Sequence, residues 1–191
     1  GGHEYAGSLD APLLLPTSLG AVHTACLAPA SLANGDLGRL DSPTIADLEG
    51  FRDFHARLAV DGLRAAGVKG ADATTLPLPG APLNRDLYST DLARLFDNPE
   101  WRERTVAAWR QHLRDALCLG LPAVLGLRHH REALAHIEQV LGIPIFEIPS
   151  LPPSLPGLRL EAELRAACVG RDVDFVEGAT VTRALVDVRN Q

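Results

Sequence analysis

The sequence predicts an α/β fold in which a mostly parallel sheet is flanked by helices. The clearest indication is residues 118–160, where an apolar run (119–125) precedes a helical pattern (128–141) and a second apolar run (143–148). Strand, helix and strand at this spacing form a βαβ unit, which has parallel strands and a right-handed crossover. Strand patterns near both termini predict additional antiparallel strands, so the expected architecture is a Rossmann-like layered domain.

The first third of the chain predicts a strand pair and then the first strand and helix of the parallel sheet. The expected segments are strands at 13–15 and 21–27 around a turn at 16–20, a loop at 28–40, a strand at 44–48 and a helix at 51–66. Phe51, Phe54 and Leu58 recur at helical spacing, which places them on one apolar side of that helix. Gly67 is the expected end of the helix.

The middle of the chain predicts a strand at 71–78, a proline-containing loop at 77–86 and two helices. Ser89 is the expected cap of the first helix. Asn98 followed by Pro99 and Glu100 has the N-cap, proline and early carboxylate that are typical of a second helix start.

The last third predicts two further strand–helix units and a closing strand pair. The helix at 128–141 is expected to bury Leu134, Ile137 and Leu141, and the next helix is expected to bury Leu160, Leu164 and Cys168. Gly170 is the expected helix end. The closing strands are expected at 173–176 and 180–188.

The composition indicates a globular protein and excludes several function classes. The chain has 191 residues, of which 46% are hydrophobic and 22% charged, and its net charge is −6. This balance gives no basis for binding nucleic acid or an anionic membrane. No apolar run approaches the length of a membrane span. Three widely spaced cysteines favour a reducing compartment, so the expected location is cytoplasmic, and no pair has metal-site spacing.

The chain contains no methionine, and its first and last residues resemble the middle of a protein. We therefore expect residues 1–191 to be a single α/β domain excised from a longer protein, with residues 1–10 poorly ordered.

The turn at residues 149–159 is the main candidate site, because open α/β sheets bind ligands at the carboxyl ends of their strands. Its candidate residues are Pro152, Pro153, Ser154, Gly157 and Arg159. A helix start with free N–H groups can hold an anion, with Ser154 and Arg159 as helpers. The alternative is a rigid turn with a serine cap and a surface arginine.

Other chemical motifs are weak or absent from the sequence. Neither G-x-G-x-x-G nor G-x-x-x-x-G-K-[ST] occurs, so the usual nucleotide phosphate motifs are not encoded. His129, His130 and His136 do not converge on one helical face, so no metal site is expected and solvated residues are favoured. If His129 or His130 acts, it is as a polar contact above the sheet edge. The catalytic residues stay unknown.

Residues 146–160, FEIPSLPPSLPGLRL, resemble the middle of the B subunit of anaerobic glycerol-3-phosphate dehydrogenase, where a strand runs into a T-L-P-P-S-x-x-G-x-R-L turn. Ser150 stands at the family's usual threonine. Collinear similarities occur at the turn PTSLG (16–20), the helix FRDFHARLA (51–59), the segment LARLFD (92–97) and the strand LPAVLG (121–126). The likeness covers residues 11–189.

The resemblance implies a flavoprotein subunit that takes part in oxidising glycerol 3-phosphate to dihydroxyacetone phosphate, with electrons passing towards quinone. FMN or FAD is then the cofactor of the longer protein. The implied partners are a catalytic A subunit and an iron–sulfur membrane-anchoring subunit, in a complex peripheral at the inner face of the cell membrane.

This chain lacks the family's N-terminal glycine fingerprint and resembles only the inserted middle domain. We therefore expect no flavin in the chain itself, no direct membrane insertion and no activity of the piece alone. The candidate residues of the turn and His129 would face substrate or flavin. Two alternatives are a non-catalytic domain that docks partner subunits and a free-standing small-molecule binder.

Overall fold

The computed structural model describes residues 5–82 and 86–183. Two small antiparallel pairs form the N-terminal part: β1 (Tyr5–Ala6) pairs with β4 (Ala28–Pro29), and β2 (Leu13–Pro16) pairs with β3 (Val22–Ala25). A short helix, α1 (Ala30–Ala33), follows directly. The β2–β3 hairpin agrees with the prediction, whereas β4 and α1 lie where a loop was predicted.

A four-stranded parallel sheet forms the centre of the molecule, which confirms the predicted fold class. The elements of this part are β5 (Thr44–Leu48), α2 (Ala56–Ala65), β6 (Asp72–Leu76), α3 (Ser89–Asp97), α4 (Pro99–Trp109), β7 (Leu119–Pro122), α5 (His130–Leu141), β8 (Ile145–Ile148) and α6 (Leu155–Val169). The strand order is β6-β5-β7-β8. All residues of β7 and β8 are buried, as expected for parallel strands that are covered on both faces.

The order of the strands places helices on both faces of the sheet. From β5 the chain moves to β6 on one side through α2, and from β7 it moves the opposite way to β8 through α5. Right-handed crossovers in opposite directions require α2 and α5 to lie on opposite faces. The core includes the fully buried side chains of Phe54, Phe96 and Trp109, and the Trp109 indole N–H donates to the Pro77 carbonyl oxygen at 2.8 Å.

Several predicted boundaries are wrong for identifiable reasons. Helix α2 begins at Ala56 and not at residue 51. Phe51 and Phe54 are buried, but they lie in the loop before the helix, and Leu58 is exposed although it lies within the helix. Ser89 is the first residue of α3, and its hydroxyl donates to the Pro153 carbonyl oxygen. Asn98 caps α4 as predicted, accepting the Trp101 N–H.

Helix α6 differs most from its prediction. Its buried residues are Leu155 and Arg159, whereas Leu160 and Leu164 are 41% and 57% exposed. Residues 173–176 and 180–183 form no strand, so these parts of the predicted closing pair are wrong. The remaining part of that pair, 184–188, lies outside the described residues. Within the described residues, no helix has the length and apolarity needed to cross a membrane.

Candidate functional site

The carboxyl edge of the parallel sheet is the place where this topology can hold a ligand. The strand order reverses direction between β5 and β7, and such a switch point opens a crevice at the strand ends. β5 and β7 pair only through Thr44–Leu119 and Ile45–Gly120, at their amino-terminal ends. The loops that follow these strands therefore define the candidate site.

The β2–β3 turn lies against this edge. The Ser18 N–H donates to the Pro149 carbonyl oxygen at 3.3 Å, just after β8. On its other side the turn packs against α2, where Gly62 directly faces the backbone of Gly20. No larger residue fits at position 62, because a Cβ atom there would overlap the Gly20 carbonyl. The turn of the β2–β3 hairpin therefore contacts both α2 and the end of β8.

A buried ion pair between Glu147 and Arg159 lies next to the same edge. The Arg159 side chain is 4% exposed and the Glu147 side chain is fully buried. The guanidinium donates to both carboxylate oxygens, at 2.7 and 3.1 Å, and its Nε–H donates to the Gly126 carbonyl oxygen at 2.9 Å. This pair joins β8, the β7–α5 loop and the first turns of α6.

His130 completes this buried cluster. Its side chain is 4% exposed, its Nδ1 lies 2.7 Å from the Leu125 carbonyl oxygen, and its Nε2 lies 3.6 Å from Glu147 Oε2. The Leu125 N–H donates to Glu147 Oε1 at 2.9 Å. The expectation of a solvated His130 is therefore wrong. The histidine, the glutamate and the arginine all hold the backbone of the β7–α5 loop.

The pKa of Glu147 reflects this environment. Burial by itself raises the pKa of the carboxyl group, but the charges of Arg159 and His130 and the hydrogen bonds from Arg159 and Leu125 lower it to about 2. Glu147 is therefore ionised at neutral pH. It acts as an anchor for Arg159, since no proton is available from it for acid catalysis under these conditions.

The Asp97 carboxylate holds the other side of the β7–α5 loop. It accepts the backbone N–H groups of Leu127, Arg128 and His129 at 2.9 to 3.2 Å. Gly126 has φ +86°, and a Cβ atom on it would lie 2.8 Å from Asp97 Oδ1. Glycine thus allows both the left-handed backbone and the close approach of the carboxylate. The Asp97 carboxylate of the chain itself therefore occupies the position at the start of α5 where an external anion would bind.

Two other helix starts at this edge, those of α2 and α6, also have side-chain acceptors. Asp47 Oδ1 accepts the Ala56 N–H at the start of α2, and the Ser154 hydroxyl oxygen accepts the Gly157 N–H at the start of α6. A dinucleotide cofactor normally places its diphosphate at such a helix N-terminus. Carboxylates already occupy two of these positions, the starts of α2 and α5, where they would repel a diphosphate.

The structure brings the predicted site residues together only in part. Pro152 and Pro153 are exposed, Ser154 caps α6, and Gly157 is the residue that it caps. Arg159 is buried and engaged by Glu147, which makes it a structural cation and not the surface arginine of the alternative interpretation. His129 is exposed above the edge, with its N–H bound to Asp97. That these residues face a substrate or flavin stays a prediction.

Sequence reasoning missed Glu147 and Asp97. Glu147 is the only charged residue in the strand sequence IFEI, and a lone charge in a fully apolar strand is a usable signal for a buried partner. Asp97 gave no such signal, because it ends a helix that already had an ordinary pattern. Among the described residues, no group of three or more His, Cys, Asp or Glu side chains is placed to hold a metal ion.

Comparison with known proteins identifies the family. The sequence model of the FAD binding domain family matches residues 5–191. The B subunit of anaerobic glycerol-3-phosphate dehydrogenase from Pectobacterium atrosepticum is 34% identical over 157 residues, covering 78% of this chain and 36% of the relative. The probable B subunit from Halobacterium salinarum is 34% identical over 186 residues, covering 92% and 43%. The Yersinia pestis B subunit is 32% identical over 199 residues, covering 98% and 46%.

The chain thus spans less than half the length of these curated relatives. No solved structure matches it. The resemblance to the B subunit of anaerobic glycerol-3-phosphate dehydrogenase is confirmed, and the chain belongs to the FAD binding domain family.

Proposed function

We propose that the chain is part of a flavin-dependent oxidoreductase that oxidises glycerol 3-phosphate to dihydroxyacetone phosphate and passes electrons towards quinone. The observation that carries this proposal is the match of residues 5–191 to the FAD binding domain family, together with relatives named as the B subunit of anaerobic glycerol-3-phosphate dehydrogenase. Flavin, as FMN or FAD, is the cofactor of the longer protein.

The flavin phosphates are held by another part of that protein, and the chain by itself is inactive. The capped helix starts support this part of the proposal, because Asp47 and Ser154 each accept an N–H group at the starts of α2 and α6 and Asp97 accepts those just before α5. The role of the chain is to form a rigid layer beside the flavin. Residues 152–157 and His129 then face the flavin or its substrate from the carboxyl edge.

Flavin titration of the purified 191-residue chain tests the cofactor part. FAD and FMN are added in turn while flavin fluorescence is followed, and a thermal melt shows that the chain is folded. We expect a cooperative melt and no saturable binding. Tight binding of either flavin would contradict the placement of the phosphate site outside this chain. The reaction itself is tested on the longer protein, as reduction of a soluble quinone that depends on glycerol 3-phosphate.

A second candidate function is the docking of a partner subunit without chemistry, and one observation favours it. Beyond its first turns, α6 has no buried residue, and Leu160 and Leu164, which lie one helical turn apart on the same side, are 41% and 57% exposed. Exposed apolar side chains in a row commonly mark an interface. The relatives are named as subunits, so we propose the catalytic A subunit as the occupant, within a cytoplasmic complex that an iron–sulfur subunit holds at the inner face of the membrane.

Co-purification separates the two candidates. Leu164→Glu should abolish co-purification of the chain with the A subunit without changing its thermal melt, because Leu164 is 57% exposed. Leu9→Glu is the matched control, since Leu9 is 85% exposed and belongs to the N-terminal part. Equal recovery of the A subunit with both variants and with the unsubstituted chain would exclude α6 as the docking face.

A further inference from the structure

Side chains from three other segments, together with His130, hold the β7–α5 loop through hydrogen bonds along its length. Glu147 and His130 hold Leu125, Arg159 holds Gly126, and Asp97 holds the next three N–H groups. A buried charge cluster is a poor source of stability compared with an apolar core, although it can fix one local arrangement. Its effect here is a rigid loop at the edge of the sheet where ligands bind.

A polar cavity of about 520 Å³ opens beside this rigid loop, within the size range of small-molecule sites. Its lining residues come from the end of α3, the start of α4 and the loop, and they are Arg94, Asp97, Asn98, Leu127, Arg128 and His129. Most of them carry a polar group. The cavity therefore suits a small polar ligand.

The charges of the cavity favour an anion. Among the described residues, the guanidinium groups of Arg94 and Arg128 have no hydrogen bond or ion pair, so both are available. The Asp97 carboxylate also lines the cavity and opposes an anion, but it already accepts three backbone N–H groups. Glu132 lies 3.9 Å from His129 Nδ1 and is also bound by Arg102. Two free guanidinium groups thus outnumber the one engaged carboxylate in the lining.

We infer that Arg94 and Arg128 bind the dianion of a phosphate monoester in this cavity, with His129 as a third contact. Guanidinium groups match phosphate oxygens through paired N–H donors. The two arginines and the engaged Asp97 carboxylate leave the lining with a net positive charge, which favours an anion. This site lies beside the start of α5 and uses side chains, because Asp97 already accepts the backbone N–H groups of residues 127–129. The choice of a phosphate monoester over other anions rests on the proposed function, which supplies glycerol 3-phosphate as substrate.

Binding is measured by isothermal titration calorimetry on the 191-residue chain, with inorganic phosphate, glycerol 3-phosphate and FMN as separate probes. We expect saturable binding of the first two. Arg94→Gln and Arg128→Gln should each weaken it roughly tenfold, the usual effect of losing one charged hydrogen-bond donor. Arg57→Gln is the matched control, because Arg57 lines a different polar cavity beside Asp61 and Asp72 and its loss changes the net charge equally.

Unsaturable binding, or equal weakening by Arg57→Gln, would overturn the inference. FMN binding that depends on Arg94 and Arg128 and is tighter than that of glycerol 3-phosphate would keep the site and assign its phosphate to the cofactor. Neither flavin content nor turnover enters the phosphate measurement. A failed phosphate titration therefore leaves the proposed oxidoreductase function standing, and loss of that function leaves the anion site standing.

Discussion

Replacing Arg159 by methionine should destabilise the chain far more than the loss of an ordinary surface arginine. The substitution removes three hydrogen bonds, two to Glu147 and one to the Gly126 carbonyl oxygen, and leaves the Glu147 carboxylate buried without its main counter-charge. Removing one partner of a buried ion pair typically costs about 3–5 kcal/mol. This is a large share of the roughly 5–15 kcal/mol that stabilises a typical domain.

Urea unfolding followed by tryptophan fluorescence measures this change, because Trp101 and Trp109 are both buried. The double variant Glu147→Leu/Arg159→Met should be more stable than Arg159→Met alone, since it no longer buries an unpaired carboxylate. Arg165→Met is the matched control. Its exposed pair with Glu177 should contribute less than about 1 kcal/mol.

The reasoning is wrong if Arg159→Met unfolds within about 1 kcal/mol of the unsubstituted chain, because a buried pair predicts several times more. It is also wrong if the double variant is no more stable than the single one. Either result would mean that Glu147 and Arg159 do not depend on each other in the folded chain.

Three further predictions concern the same edge of the sheet. Because the pKa of Glu147 is lowered, its ionised carboxylate stabilises the fold above pH 4.5 by about 3 kcal/mol. This contribution should be lost as the pH falls from 4.5 towards 2. The stability of Glu147→Gln should therefore depend less on pH in this range than that of the unsubstituted chain. Asp97→Asn should cost about 1–3 kcal/mol in urea unfolding and speed hydrogen exchange at residues 127–129, whereas Asp86→Asn, at an exposed pair, should do neither. Gly62→Ala should lower the melting temperature despite the higher helix propensity of alanine, because its Cβ would overlap the Gly20 carbonyl; Gly157→Ala, which meets only the Ser154 side chain, should not.

The start of α2 shows where local pattern fails. Phe51 and Phe54 have helical spacing with the residues that follow, so the pattern predicts a helix from residue 51. Both side chains are buried, but they belong to a loop. The helix begins only at Ala56, whose N–H group donates to the Asp47 carboxylate. That cap comes from the end of the preceding strand, nine residues away, and helix periodicity carries no trace of it.

The apolar pattern of α6 shows a different kind of failure. Leu160, Leu164 and Cys168 recur at the spacing of a buried face, yet Leu160 and Leu164 are exposed and Arg159 is buried. Periodicity reports which residues favour burial but not what surface is present to bury them. Arg159 is buried because Glu147, on a strand twelve residues earlier, provides the opposite charge.

Apolar runs, turn residues and motifs that are local in the chain were sufficient to predict the α/β class, the parallel strands and the family resemblance. The strand order, the caps that occupy the helix starts, and the buried cluster of Glu147, Arg159 and His130 became evident only in the folded chain. A buried charge needs an opposite charge, and a buried N–H group needs an acceptor. In this chain those partners come from segments that are distant in the sequence. The chemistry of the carboxyl edge therefore depends on contacts between segments that no local pattern records.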